Sequence, residues 1–143
     1  AEAGGACQLL DYPTIRDTLG LSFSVAAAAQ QGETYTCLVQ PSGASFPDLA
    51  LSVTPSIADE KAFQTAAMPE GATKVEGLGK IGYSAPIEAA ADAGPGVQIG
   101  WLAGNGRLLV LRLRLVPGEA PGPAAERTAQ LVELAKIIDF IGF

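Results

Sequence analysis

The stretch that decides the fold is VQIGWLAGNGRLLVLRLRLV, residues 97–116. Two apolar runs with alternating side chains flank the sequence GNG, whose Asn105 and Gly106 suit a tight hairpin turn. In the second run, leucines occupy one face throughout, whereas the other face begins apolar and then carries Arg112 and Arg114. A strand that is apolar on both faces over part of its length is typical of the inside of a sheet. The stretch therefore predicts an antiparallel hairpin whose second strand is central.

Four further segments carry strand or turn signals. TYTCLVQ (34–40) is rich in β-branched and aromatic residues, and LALSVT (49–54) alternates strictly, so the two predict a hairpin-like pair. LSFSV (21–25) also alternates and predicts a strand, but the following AAAAQQGE carries no strand signal and ends in a glycine turn. The closely spaced glycines of TKVEGLGKIGYSAP (73–86) predict a tight turn before a short strand.

Three segments predict helices. The first runs from Asp11 to Leu19 and ends at Gly20. The second spans 56–67, opened by a variant capping box and stopped by a proline, and the third follows Pro123. The apolar stripe of the third comprises Leu131, Leu134, Ala135, Ile138 and Ile141. Helices that alternate with groups of hairpin-linked strands predict one α+β domain over residues 1–143, built on an antiparallel sheet flanked by helices.

Composition excludes several functional classes. The chain has 143 residues, 48% of them hydrophobic and 17% charged, which is the composition of a folded domain and not of a disordered one. Its net charge of -6 repels phosphate backbones, so we expect no nucleic-acid partner. The apolar C-terminal run is interrupted by Glu133, Lys136 and Asp139, so it does not predict a membrane span.

No motif predicts catalysis or a cofactor. The chain contains no histidine, the usual base of serine and cysteine hydrolases. GLGKIG (77–82) lacks the Lys-Ser/Thr ending of a phosphate-binding loop and predicts a turn instead. Neighbouring carboxylates such as Asp59 and Glu60 are explained by helix caps and solvated faces, and no acidic loop matches a calcium site. We therefore expect a protein that is not an enzyme and that holds no metal or cofactor.

Five residues remain as candidates for a structural or binding role. Cys7 and Cys37 are either a single disulfide or two buried thiols. Trp101 is either a core anchor or the wall of a pocket. Arg112 and Arg114 either contact an acidic partner or a lipid headgroup, or keep a solvated strand face soluble.

Several stretches together resemble a known group of proteins. They are CQLLDYPTIRDTLG, TCLVQ, VEGLGKIGYSA, the tryptophan-containing hairpin with GNGRLLVLRL, and the C-terminal amphipathic helix. This pattern resembles the small secreted and lipoprotein domains of actinobacterial cell envelopes. Within that group it is most similar to the extracytoplasmic domains of the mycobacterial trehalose monomycolate transport factor A family.

The resemblance implies a PsbP-like fold, with a disulfide that joins the first helix to a strand and maps onto Cys7 and Cys37. Such a bridge requires an oxidising compartment, here the cell envelope or periplasm. The implied role is accessory: the domain attaches to an MmpL-type membrane transporter that moves mycolate glycolipids. The alternative is a lipid carrier that holds an acyl chain between the sheet and the terminal helix. Because no apolar leader precedes Cys7, we expect a membrane anchor upstream of Ala1 rather than an acylated cysteine.

Overall fold

The fold is taken from a computed structural model of the chain. It describes residues 12–19, 25–40, 48–55, 61, 63, 72–75, 77–87, 96–103, 107–114 and 124–141. In chain order the elements are α1 (Tyr12–Leu19), β1 (Val25–Gln31), β2 (Thr34–Gln40), β3 (Asp48–Pro55), β4 (Thr73–Val75), β5 (Ile81–Ile87), β6 (Gly96–Leu102), β7 (Arg107–Arg114) and α2 (Ala124–Ile141).

The seven strands form one sheet in the order β1-β2-β3-β7-β6-β5-β4. Every neighbouring pair is antiparallel, and β7 is the middle strand. The predicted α+β class, the hairpin of β6 with β7 and the central place of β7 are therefore confirmed. The sheet consists of two meanders, β1 to β3 and β4 to β7, that join where β3 pairs with β7.

Most of the predicted elements are confirmed. The strand over 34–40 has the predicted bounds, 49–54 forms most of β3, and the first and last helices are present as α1 and α2. The glycine-rich turn is present between β4 and β5, where Gly77 and Gly79 have φ of 75° and 59°. Several predictions lie outside the described residues: the helix start at Asp11, the GNG turn, and most of the helix over 56–67, of which only Lys61 and Phe63 are described and are helical.

The segment AAAAQQ carries no strand signal in its sequence, yet it forms a strand. These residues belong to β1, and all seven residues of β1 pair in unbroken register with β2, from Val25 opposite Gln40 to Gln31 opposite Thr34. A two-residue turn joins the strands and begins at Gly32, which has φ 61°. Alanine has little strand preference of its own, so the backbone ladder with a strongly strand-forming partner decides the conformation here. Residues 21–24 lie outside the described residues.

The core lies on one side of the sheet, which we call the helix face because α1 and α2 cover it. Alternate residues of four strands point into it and meet Ile15 of α1 and an apolar stripe of α2. The strand residues are Cys37, Val39, Leu49, Leu51, Val53, Val97, Ile99, Trp101, Leu109, Leu111 and Leu113. The stripe of α2 comprises Leu131, Leu134, Ala135 and Ile138. Period-two strands and a period-3.6 helix thus bury matching surfaces against each other.

A smaller apolar cluster lies on the opposite side of the sheet, over β5 and β6. It comprises Phe63, Ile81, Tyr83, Ala85 and Leu102. The rings of Phe63 and Tyr83 are tilted, with centroids 5.9 Å apart. This cluster covers one end of the second face of the sheet and leaves the side chains of β3 and β7 beside it.

Candidate functional site

Arg112 is an exposed cation on the central strand of the sheet. Its neighbours in β7, Leu111 and Leu113, are fully buried on the helix face, so alternation directs Arg112 to the other side. In register, Arg112 lies between Ala50 of β3 and Gln98 of β6. The small Ala50 side chain leaves the guanidinium accessible from one flank.

A carboxylate lies beside this arginine. Asp48 pairs in register with Arg114, two positions along β7 from Arg112, and is half-buried. Burial raises the pKa of the Asp48 carboxyl above its ordinary value, while the charges of Arg112 and Arg114 lower it. Burial has the larger effect on this pKa. A single carboxyl can offset at most one of the two guanidinium charges.

A fixed hydrogen bond borders the arginines on the β6 side. Gln98 Nε2 donates to Tyr83 Oη at 2.7 Å, and burial raises the pKa of the Tyr83 phenol, while the bond to Gln98 lowers it. The ring of Tyr83 lies against Gly100: a Cβ at that position would come within 2.7 Å of Tyr83 Oη. Gly100 therefore makes room for the ring, and the ring holds the amide that lies next to Arg112.

We call this surface the polar face and define it by Asp48, Ala50, Gln98, Arg112 and Arg114. It combines two guanidinium groups, a partly buried carboxyl and an anchored amide on rigid strands. Guanidinium groups offer planar, directed donors to carboxylate or phosphate oxygens. The arrangement fits recognition of an anionic or polar group.

Trp101 lies on the other side of the sheet from the two arginines. It is fully buried on the helix face, where its indole Nε1 has no hydrogen-bond partner among the described residues. The structure therefore does not bring Trp101 together with Arg112 and Arg114. Its placement agrees with the core-anchor interpretation.

Cys37 lies in β2 on the helix face and is fully buried. It is not a free thiol. Cys7 lies outside the described residues, so the pairing of the two cysteines stays a prediction.

The layer between the sheet and α2 is densely packed. Leu51, Ile99, Leu111, Leu131 and Ala135 each have no accessible surface. A cavity wide enough for a water molecule would leave accessible surface on the side chains that line it. Because these five side chains have no such surface, no water-sized cavity borders them.

Sequence reasoning did not select Asp48 and Gln98 of the polar face, or Tyr83, which holds Gln98, as candidate residues. Alternation places Gln98 and Arg112 each on the side of its own strand away from the apolar residues, but it does not show that the two are neighbours. The register of β6 with β7 is the information that would have joined them, and it depends on the length of the connecting turn.

Within the described ranges, no helix is long and apolar enough to cross a bilayer. Comparison of the chain with protein-family models, with curated proteins and with solved structures gives no match in any of the three.

Proposed function

We propose that the chain is a noncatalytic accessory domain of the cell envelope that docks on a membrane transport complex. The partner is a transporter of the MmpL type or one of its accessory proteins, and the cargo is trehalose monomycolate or a related mycolic acid glycolipid. The proposed location is extracytoplasmic, in the periplasm of a mycobacterium or a related organism. The fold would then be PsbP-like, with Cys7 and Cys37 bridged.

The observation that carries the docking role is the exposure of Arg112 on the central strand. In a chain of net charge -6, a guanidinium pair concentrated on one rigid surface creates a local field of opposite sign. Such patches steer acidic partners and favour one docking orientation. The helix face, in contrast, is already occupied by α1 and α2.

Photocrosslinking in the native host would test the docking role. A photoreactive residue at position 112 should capture a membrane transport protein, whereas the same residue at the exposed position 16 on α1 should not. Arg112→Glu should reduce co-purification of that protein at least about tenfold, since like charge at an interface costs several kcal/mol. Arg16→Glu provides the matched control because it makes the same charge change on the helix side. Equal capture from both positions would contradict the proposal.

The alternative function is a lipid carrier, favoured by the indole Nε1 of Trp101, which has no hydrogen-bond partner in the part of the chain that the structure describes. A buried donor without an acceptor is costly, and a ligand carbonyl or hydroxyl could satisfy it. The dense packing of the same layer favours docking, because an acyl chain would have to displace α2 from the sheet.

Native mass spectrometry of protein from its own host separates the two functions. The docking role predicts a mass without adduct, whereas the carrier predicts a lipid-sized adduct that Trp101→Phe weakens by removing the indole donor.

The proposed disulfide between Cys7 and Cys37 is tested on the same sample. Unreduced protein should resist alkylation, and two alkylated sulfurs would contradict both the disulfide and the proposed compartment.

A further inference from the structure

The strand β1 lies at one edge of the sheet. It is the terminal strand, and within the described part of the chain no strand lies on its outer side. Ala27, Ala29, Gln30 and Gln31 are exposed, and the sequence VAAAAQQ contains neither a charged residue nor a proline. Its pairing with β2 is continuous over all seven residues, without a bulge. The outer backbone groups of this edge are therefore presented in a regular array.

Natural sheets usually protect such an edge. Short edge strands, lysines, prolines and bulges all discourage a second strand from pairing there. The opposite edge of this sheet is protected in that way: β4 has only three residues and carries an exposed Lys74. An edge that lacks every one of these features is a template for strand addition.

The side chain of Gln30 does not cover the edge. Gln30 Nε2 donates to the carbonyl oxygen of Gly32 at 3.2 Å and to Tyr35 Oη at 3.4 Å. Both acceptors belong to the same β1–β2 hairpin. The amide is therefore held over its own hairpin.

We propose that β1 pairs antiparallel with β1 of a second copy of this chain, so that one sheet runs through a twofold dimer. With the axis at Ala28, Ala27 of one copy lies opposite Ala29 of the other, and Val25 lies opposite Gln31. Every pair is neutral, and every pair except Val25 with Gln31 includes an alanine, so the strand can pair with a second copy of itself. The absence of charge on β1 is important because each copy carries a net charge of -6, so two copies repel each other overall. A second copy supplies the same uncharged strand in a matching register. The dimer does not depend on the proposed function.

The test compares charge added at the edge with the same charge added elsewhere. In the proposed register, Ala27→Lys/Ala29→Lys places lysines directly opposite each other twice, and directly opposed like charges destabilise strand pairs. The control Thr73→Lys/Ala129→Lys adds the same charge at exposed positions of β4 and α2. Sedimentation equilibrium of the full chain should show dimers with a dissociation constant below about 1 mM. The edge variant should weaken association at least about tenfold, whereas the control should leave it unchanged.

A charge-swapped mixture tests the register itself. Ala27→Glu/Ala29→Glu alone should be monomeric, but mixed with the lysine variant it should restore dimers, because each lysine then faces a glutamate. Hydrogen exchange of residues 25–31 in the unmodified chain should slow as protein concentration rises. A monomeric unmodified chain at about 1 mM, equal weakening by the control variant, or failure of the mixture to dimerise would each overturn the proposal.

Discussion

The helix face and the polar face of the sheet use the same strands for opposite purposes. On β7, Leu111 has no accessible surface beneath α2, while the next residue, Arg112, is exposed. The helix face excludes solvent with large apolar side chains, whereas the polar face combines small residues with charges. The contrast shows that the larger apolar core lies on one side of the sheet, whereas the polar face presents charged and polar groups on the other.

The largest effect should come from truncating the helix face. Leu111→Ala removes a fully buried side chain and should lower the free energy of unfolding by about 3 kcal/mol. The neighbouring Val110→Ala, on the half-buried polar side, should cost about 1 kcal/mol. Urea denaturation of both variants measures the difference. Equal losses would contradict the division between the two faces.

Substitution in the glycine-rich loop at residues 77–80, beside the helix face, should lower the stability nearly as much. Leu78 enters the core between Gly77 and Gly79, and Lys80 N–H donates to Leu102 O at 2.8 Å. A Cβ at Gly79 would lie 2.5 Å from Leu102 O and 3.1 Å from Trp101 Cδ1, in a backbone conformation that disfavours side chains. Gly79→Ala should therefore cost about 2 to 3 kcal/mol.

The β1–β2 turn supplies the control for that substitution. Gly32 has a similar φ of 61°, but a Cβ there would meet nothing within 4 Å. Gly32→Ala should therefore cost only the backbone strain, about 1 kcal/mol. Thermal or urea unfolding that gives equal losses for both alanines would show that packing at the loop contributes nothing.

A smaller loss should follow when the support of the polar face is disturbed. Gly100→Ala forces the Tyr83 ring away from the sheet and should cost about 2 kcal/mol. Combined with Tyr83→Ala, which removes the clashing ring, the two losses should be less than additive. A double-mutant cycle from urea denaturation measures this coupling. Additive losses would contradict the close contact of ring and glycine.

The smallest effect concerns Asp48 and depends on pH. Because the folded state raises the pKa of Asp48 above 3.8, its stabilising contribution is present below that pH and lost as the pH rises through the folded value. The free energy of unfolding of Asp48→Asn, relative to that of the unmodified chain, should therefore be higher at pH 7 than at pH 3. The difference should stay below about 1 kcal/mol because the group is partly solvated. A variant that is relatively less stable at pH 7 would show that Arg112 and Arg114 outweigh burial.

Prediction from sequence works best where a pattern is strong and local. The alternation of LALSVT and the stripe of the terminal helix identify buried residues such as Leu51 and Leu134 because burial follows the element's own period. The same reasoning fails for β1, whose alanines have no pattern to detect. It also omits Tyr83 and Gln98, since their contact joins two strands.

The register of the β6–β7 hairpin shows why contacts between strands are not predicted from the sequence. A turn of Asn105 and Gly106 alone would place Gln98 opposite Leu113. In the structure Ala103 N–H donates to Arg107 O, and Gln98 lies opposite Arg112. One additional residue in the connection therefore changes which side chains meet across the strands.

The sequence by itself determines the class of fold, the central place of β7 and the residues that form the core, because each depends on local periodicity and burial. Only the tertiary structure decides that β1 is a strand, that Trp101 and Arg112 lie on opposite sides of the sheet, and that Asp48 and Gln98 lie next to the arginines. These facts depend on strand order and register, which arise from pairing between distant segments, and no short stretch of sequence encodes such pairing.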